Sequence, residues 1–314
     1  MKTRIGILGL GGVGGYFGGL LAKAYKDSET VEIVFIARGK TLEIVSESGL
    51  KLITDEAETI VFPAVVSNDP EQIGKLDYLI CATKTYDIES SLETLRKSIT
   101  KNTVFLPLYN GVDAPERIRT LYPDNEVLLG CVYIVAMIES PAVIKKVGPI
   151  EKLFFGSDSA PLSKLKALQS IFEKAAIESS LLENIEAKVW EKFIFISSLA
   201  SATSYLNQNI GEIIASNSSR ALFVNLLQEI TMLAAVKGLD LPGDITMKTI
   251  NQLEKMPHSA TSSMHRDVIA GSNFELASLT EFVVNEGIKY EVDMPNYTKV
   301  LETLLPKMPS DKAL

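Results

Sequence analysis

Short apolar runs alternate with amphipathic segments along the first third of the chain. Runs of this length, rich in β-branched residues, are typical of strands buried on both faces of a sheet. The intervals have room for helices, and the first two helices are predicted to end near Lys26 and Ser48. Strands and helices in regular alternation predict a parallel sheet covered by helices on both faces. The predicted strands are Arg4–Gly9, Val31–Ala37, Leu76–Thr83 and Thr103–Leu108.

The pattern changes twice farther along the chain. Residues 127–156 are rich in β-branched and apolar residues, and we expect hairpins there that extend the sheet. After about residue 183 the apolar positions follow the helical period, with few strand signals. The predicted helices of this second half are Ile185–Tyr205, Ser218–Lys237 and Phe274–Gly287.

Length and composition indicate a two-domain globular protein. A chain of 314 residues exceeds what one ordinary core accommodates. We predict a Rossmann-type α/β domain over residues 1–182 and an all-helical domain over residues 183–314. The net charge is -8 without a long basic run, which argues against nucleic acid and anionic membranes as partners.

The uncharged segment Ile5–Ala22 superficially matches a secretory signal. Eight of its residues are glycine, which is a poor former of the helix that signals and membrane spans require. We therefore expect a cytoplasmic chain without a transmembrane helix. Cys81 and Cys131 lie in apolar runs and are predicted to be buried thiols. The chain has two histidines, His258 and His265, so no histidine-rich metal site is expected.

The glycine-rich segment at residues 9–14 reads G-L-G-G-V-G and matches the G-x-G-x-x-G pattern. It follows a predicted strand and opens a helix, the context in which this pattern binds a dinucleotide pyrophosphate. The helix start directs its N–H groups at the phosphates. A flexible glycine loop is the alternative, which the order of strand, loop, helix and strand disfavours. The predicted cofactor contacts are Gly9, Gly11, Gly12, Val13 and Gly14.

The end of the second strand bears on the choice of cofactor. An NAD-binding domain usually places an acid there to accept from the ribose hydroxyls. Here the strand ends with Arg38, whereas Glu32 lies at its start. An arginine at this position is placed to bind a 2′-phosphate, which favours NADP(H). An ordinary solvated arginine is the alternative.

Three polar clusters lie beside predicted strand ends or within an apolar helix. Thr83-Lys84-Thr85 and Asn110-Gly111 follow the third and fourth predicted strands, at the sheet edge where ligands collect. Trp190-Glu191-Lys192 lies in the helix that opens the second domain, where we expect the lysine to face an inter-domain cleft. A surface lysine or a turn asparagine is the alternative interpretation of each cluster.

Taken together, these motifs resemble the ketopantoate reductase family over nearly the whole chain. The resemblance also includes Ser262-Ser263-Met264-His265-Arg266-Asp267, with Glu275 twelve residues beyond Ser263. It implies a Rossmann domain joined to a helical domain. It also implies NADPH-dependent reduction of a 2-oxo acid, as in the conversion of 2-dehydropantoate to pantoate in pantothenate biosynthesis.

The resemblance also assigns roles to individual residues. It implies that Lys192 protonates the carbonyl oxygen, a role that suits a side chain protonated at neutral pH. Asn110 would orient the nicotinamide, the substrate and Lys192, and Lys84 would contact the cofactor. Ser263 would bind the carboxylate of the substrate, and Glu275 would position ligand and cofactor.

Three positions depart from the family pattern, because Ile196, Ala200 and Ala260 stand where the family has substrate-side asparagines. We therefore expect retained catalytic residues with altered substrate recognition. The nearby hydroxyls that could compensate belong to Ser197, Ser198 and Ser201. The two histidines flank this region and are expected to be packing or surface residues.

Three functions remain open at this point. The first is an NADP-dependent reductase of the ketopantoate type. The second is a reductase of the same fold for a less polar 2-oxo acid or related carbonyl compound, and the third is a non-catalytic NADP-sensing protein. Retention of Lys84, Asn110, Lys192 and Glu275 disfavours the sensor, because sensing requires a cofactor site but no proton donor. We expect a small-molecule substrate and an apolar helical domain compatible with a homodimer.

Overall fold

The computed structural model describes residues 2–157 and 159–309. The chain forms two compact units. The first contains the residues up to Tyr109 together with Ala114–Ile185, and the second contains Asn110–Asp113 together with the residues from Glu186 onward. The division after Ile185 lies close to the boundary predicted after residue 182, and the short segment at 110–113 belongs with the helical unit.

The strands of the first unit are numbered in chain order, and they form two sheets. They are β1 Thr3–Leu8, β2 Val31–Ile36, β3 Leu50–Ile53, β4 Glu58–Val61, β5 Val65–Ser67, β6 Tyr78–Cys81, β7 Val104–Pro107, β8 Leu129–Ser140, β9 Val143–Gly156 and β10 Ser179–Leu181.

The first sheet is parallel throughout, in the order β5-β2-β1-β6-β7. Its central strands are buried on both faces, as Ile5, Ile7, Val34 and Leu79 show. Burial on both faces explains why these strands read as continuous apolar runs. The predicted parallel sheet of Rossmann type is confirmed.

The second sheet corrects one prediction. Residues 127–156 do form a hairpin, β8 with β9, but it does not extend the parallel sheet. It belongs to a separate sheet in the order β10-β9-β3-β4, in which Lys51 pairs with Val143. Strands β3 and β4 have four residues each, and only Val61 of β4 is buried, so their apolar signal was too short to predict them. An isolated bridge between Phe105 and Val127 links the segment just before β8 to β7.

The structure contains more helices than the sequence predicted. The first unit contains α1 Gly12–Ala24, α2 Gly39–Ser48, α3 Pro70–Ile73, α4 Ile88–Thr94, α5 Ala114–Leu121 and α6 Leu162–Lys174. The second unit is built from α7 Ile185–Leu206, α8 Ile210–Ala215, α9 Asn217–Val236, α10 Ile245–Lys255, α11 Ser263–Ile269, α12 Phe282–Lys289 and α13 Pro295–Leu304, with a π-helix at Ala277–Glu281 directly before α12.

Helix α1 lies between the two sheets and explains the uncharged N-terminal segment. A Cβ on Gly18 would lie 3.0 Å from the Ile7 side chain of the parallel sheet. A Cβ on Gly15 would lie 2.6 Å from the Ile144 side chain of the second sheet. Glycines on both faces of the helix therefore let both sheets approach it closely.

The helical unit has its own core, in which α7 and α9 pack with the π-helix, α12 and α13. The helix predicted from Phe274 begins at Ala277 instead. Phe274 and Leu276 are buried before the helix starts, so their apolar character reflects burial rather than helical structure.

Helix α9 is long and apolar enough, by length and composition, to cross a membrane; it is the one such helix in the described part of the chain. One face of the helix packs into the core of the helical unit, which accounts for much of its apolar composition. The buried side chains include Phe223, Leu226, Leu227, Ile230 and Leu233.

Candidate active site

The carboxyl ends of three neighbouring strands meet at one edge of the parallel sheet. Beyond β1, the Gly9 amide donates to the Ile36 carbonyl at 3.2 Å, at the end of β2. A Cβ on Gly9 would lie 2.8 Å from the Thr83 methyl group, just beyond β6. Gly9 has a φ of 90°, which favours glycine. The turn predicted to bind the cofactor therefore lies between the loops that follow β2 and β6.

The turn from β1 into α1 has the shape of a phosphate cradle. A Cβ on Gly14 would lie 2.1 Å from the Gly9 carbonyl oxygen, and one on Gly12 would lie 2.3 Å from the Ala136 carbonyl oxygen. Both positions therefore require glycine. At Gly11, by contrast, the closest described atom to a Cβ would be 3.8 Å away, so a ligand could approach the backbone there.

The start of α1 also suits an anion. Its first turn contains no acid, and no side chain in the described ranges caps it. Its amide N–H groups and the positive end of the helix dipole are therefore available to phosphate oxygens. The turn fits the pyrophosphate of a dinucleotide, which in the reduced nicotinamide form supplies a hydride.

Arg38 lies two residues beyond the end of β2, at the N-cap position of α2. Its guanidinium Nη2 lies 3.1 Å from the Asp87 carboxylate. Asp87 ends a 3₁₀ turn, Thr85–Asp87, in the loop that follows β6. The pairing of Arg38 with Asp87 was not predicted from the sequence.

Lys84 lies between β6 and that turn and is half-buried. The adjacent Thr83 hydroxyl is 3.1 Å from the Tyr109 hydroxyl. Burial raises the pKa of the Cys81 thiol and of the Tyr109 phenol, so both are neutral at physiological pH. The predicted burial of the cysteines is confirmed for both, and neither group beside Lys84 is an activated nucleophile.

The second group of candidate residues lies in the helical unit. The ammonium group of Lys192, on α7, donates to the Asn110 side-chain oxygen at 3.1 Å, and both side chains are half-buried. Trp190 and Phe193 lie on either side of the lysine in the sequence and are buried. Their rings pack edge to face with 5.4 Å between the ring centroids. These aromatic contacts fix the part of α7 that carries Lys192.

The segment that carries Asn110 is held against the π-helix. Ser278 donates its hydroxyl proton to the Asp113 carboxylate at 2.8 Å. Gly111 has a φ of 117°, and a Cβ there would lie 3.2 Å from the Ser278 Cβ. π-Helical turns such as the one that carries Ser278 are frequent at functional sites. The π-helix thereby fixes the segment whose amide contacts Lys192.

The same π-helix holds α7. Ser197 donates to the Leu279 carbonyl at 2.6 Å, and the Ser201 and Thr280 hydroxyls are 2.9 Å apart. Ser197, Ser198 and Ser201 have no exposed surface. The possibility that these serines compensate for the missing asparagines gains no support, because their hydroxyls bond within the helical unit.

The three apolar replacements differ in exposure. Ala200 is buried in the core of the helical unit. Ile196 and Ala260 are half-buried and pack against that core. Of the three positions, 196 and 260 therefore have surface available for a ligand.

Ser263 and Glu275 lie in the helical unit as well. Ser263 begins α11 and is half-buried, and the preceding Ser262 hydroxyl lies 2.8 Å from Thr203 on α7. Glu275 is buried directly before the π-helix. The structure thus brings Lys192 and Asn110 into direct contact and places Glu275 beside the π-helix that holds both segments.

His265 is a packing residue. It is buried, with Nδ1 2.5 Å from the Thr261 hydroxyl and Nε2 3.0 Å from the Asn207 side-chain oxygen. Burial lowers the pKa of its imidazole, which is therefore neutral at pH 7. Among residues 2–157 and 159–309, no group of three His, Cys, Asp or Glu side chains could hold a metal ion.

A parallel dinucleotide-binding sheet followed by a helical unit with a lysine–asparagine pair defines a nicotinamide-dependent oxidoreductase. Residues 5–159 match the family described as ketopantoate reductase PanE/ApbA, and residues 184–307 match its C-terminal domain. The chain belongs to the ketopantoate reductase family and is an oxidoreductase of the 2-dehydropantoate 2-reductase type.

Solved structures and curated relatives agree with this assignment. The structure of 2-dehydropantoate 2-reductase from Porphyromonas gingivalis W83 is 31% identical, covers 97% of this chain and 100% of that chain, and has a TM-score of 0.84. An uncharacterized oxidoreductase, YkpB, from Bacillus subtilis is 25% identical over 95% of each chain. The 2-dehydropantoate 2-reductase of Halobacterium salinarum is 22% identical over 93% of this chain and 94% of its own. The predicted family, fold class and enzyme class are confirmed.

Proposed function

We propose that this enzyme reduces a 2-oxo acid with NADPH, with Lys192 as the general acid. The observation that carries the proposal is the 3.1 Å hydrogen bond from Lys192 to Asn110. In the proposed reaction, hydride from the cofactor reaches the carbonyl carbon while a Lys192 proton reaches the carbonyl oxygen. The product is the corresponding 2-hydroxy acid.

Asn110 is a suitable partner for a lysine with this role. An amide oxygen accepts one ammonium proton and so fixes the direction of the side chain. Because the amide is neutral, this bond does not itself neutralise the positive charge of the lysine. The ammonium can then polarise a carbonyl and stabilise the negative charge that develops on its oxygen.

The cofactor contacts are assigned to the first unit. We assign the pyrophosphate to the turn at Gly9–Gly14, the 2′-phosphate to Arg38 and a further contact to Lys84. Residues 1–182 would then bind NADPH, and residues 183–314 would bind the substrate and supply the acid. Ser263 is assigned to the substrate carboxylate, and Glu275 to positioning of the ligands.

The substrate is proposed to be less polar than ketopantoate. Ketopantoate carries a hydroxyl group, whereas the half-buried positions 196 and 260 are isoleucine and alanine here. An apolar wall cannot favour a hydroxyl group, and a buried polar group left unpaired costs about 1–3 kcal/mol. The proposal is supported by a structure of the same fold, 21% identical with a TM-score of 0.85, which is described as D-mandelate dehydrogenase in ternary complex with NADH and the aromatic compound anilino(oxo)acetate.

A homodimer is the proposed assembly. Met232 and Val236 on α9 and Ile288 on the adjacent α12 are exposed apolar side chains. A related structure is described as a dimeric ketopantoate reductase from Staphylococcus aureus. Light scattering coupled to size-exclusion chromatography is expected to give twice the chain mass, and one chain mass would contradict the proposal.

The proposed activity is tested by following NADPH oxidation at 340 nm with a panel of 2-oxo acids. The panel contains ketopantoate, pyruvate, 2-oxoisovalerate and phenylglyoxylate. We expect turnover with at least one member and a 2-hydroxy acid as product. Tight NADPH binding without turnover of any member would contradict the proposal and favour the sensing function.

A further inference from the structure

An ion pair joins two loops at the edge of the sheet assigned to the cofactor. Arg38 follows β2, Asp87 follows β6, and their charged groups are 3.1 Å apart. Strand β1 lies between β2 and β6 in the sheet. The pair therefore crosses the end of β1, where the glycine turn begins.

The two members of the pair are held unequally. The Asp87 side chain is 15% exposed, whereas the Arg38 side chain is 75% exposed. Asp87 is also fixed through its backbone, since its amide donates to the Lys84 carbonyl at 3.0 Å. The carboxylate is thus the fixed charge, and the arginine is the exposed member that can reach a ligand.

A phosphate group could replace the Asp87 carboxylate as the partner of Arg38. Exposed ion pairs contribute little to stability, whereas arginine forms strong two-point contacts with phosphate. A 2′-phosphate bound to Arg38 would, however, lie near the fixed negative charge of Asp87. The 2′-hydroxyl group of NADH could instead donate a hydrogen bond to the Asp87 carboxylate.

We propose that Asp87 is a specificity-determining residue for the cofactor, which reduces the preference for NADPH over NADH that Arg38 provides. This inference rests on the proposed assignment of the cofactor to this edge. In NAD-binding domains the corresponding acid ordinarily ends the second strand. Here an acid reaches the same edge from the loop after β6, so the site combines a phosphate-binding arginine with a ribose-binding acid.

The test measures NADPH and NADH dissociation constants by fluorescence titration of the intact protein and of Asp87→Asn. Removing one like charge from the neighbourhood of the phosphate is expected to tighten NADPH binding about tenfold. NADH binding is expected to stay unchanged or to weaken. A higher salt concentration should reduce the difference in NADPH dissociation constant between the intact protein and Asp87→Asn, because exposed charges are screened.

Glu89→Gln is the matched control. Glu89 lies on the same segment but pairs with Arg117, with Nη2 2.6 Å from the carboxylate. Its substitution also removes one negative charge and should change both dissociation constants by less than about twofold. Asp87→Ser provides a second variant, and the thermal midpoint of each variant confirms folding.

A double variant separates the competition for Arg38 from direct repulsion. In an Arg38→Ala background, Asp87→Asn should improve NADPH binding by less than in the intact protein, because no arginine remains to be released. Unchanged or weaker NADPH binding in both folded Asp87 variants would overturn the inference while leaving the proposed function intact. If the intact protein bound neither nucleotide, the proposed function would be wrong and the inference with it.

Discussion

Replacement of Lys192 by methionine tests the assignment of the general acid. Methionine keeps most of the length of the side chain and its apolar contacts but removes the ammonium group. The buried Trp190 and Phe193 should continue to hold this part of α7. We therefore expect a folded protein that lacks the proton donor.

The size of the effect follows from the contact that is lost. A positioned general acid contributes about 10²–10⁴ to turnover, or roughly 2.7–5.5 kcal/mol of activation free energy. The variant also leaves the Asn110 oxygen without its charged donor at 3.1 Å. The cofactor contacts assigned in the first unit are untouched, so the dissociation constant of NADPH should change by less than about twofold.

The assay combines steady-state NADPH oxidation with single-turnover measurements on the best substrate of the panel. Lys248→Met is the control, because Lys248 is an exposed lysine of α10 that pairs with Asp244 at 3.0 Å. It should retain turnover within about twofold. Turnover of Lys192→Met close to that of the intact enzyme would refute the assignment of Lys192.

Three further predictions concern the cofactor, the positioning of the acid and stability. Arg38→Ala should weaken NADPH binding by about ten- to a hundredfold, the value of a charge-assisted contact, and leave NADH binding unchanged in fluorescence titrations. Ser278→Ala removes the bond to Asp113 and should lower kcat about tenfold without changing the NADPH dissociation constant, whereas Ser278→Thr should restore part of the kcat. Because burial lowers the pKa of His265, the unfolded chain binds more protons near this pKa, so stability should fall as the pH falls below about 6.5. Thermal midpoints of His265→Gln should decrease less over that range, and an equal decrease in both proteins would contradict the role of His265.

The strands that are buried on both faces of the parallel sheet were predictable from the sequence. The strands around Ile5, Val34 and Leu79 read as apolar runs because helices cover the parallel sheet on each side. The positions of Gly12 and Gly14 were also predictable, since close backbone approach leaves no room for a Cβ. These constraints are local, so the sequence expresses them directly.

Contacts between distant segments were not predictable in the same way. The pairing of Arg38 with Asp87 and of Ser278 with Asp113 joins residues far apart in the chain. The serines near Lys192 illustrate the same point, because their spacing on α7 did not show that the π-helix covers them. The short strands β3 and β4 were missed because a run of four residues carries little periodic signal.

The most direct test of the account is the ratio of kcat/KM for ketopantoate to that for an apolar 2-oxo acid such as phenylglyoxylate, measured with NADPH. We predict a ratio well below one for the intact enzyme, because Ile196 and Ala260 offer no polar partner to the hydroxyl group of ketopantoate. The double variant Ile196→Asn with Ala260→Asn should raise this ratio. A native kcat/KM for ketopantoate within the usual enzymatic range of roughly 10⁴–10⁸ M⁻¹s⁻¹, and above that for the apolar acid, would contradict the proposed substrate class.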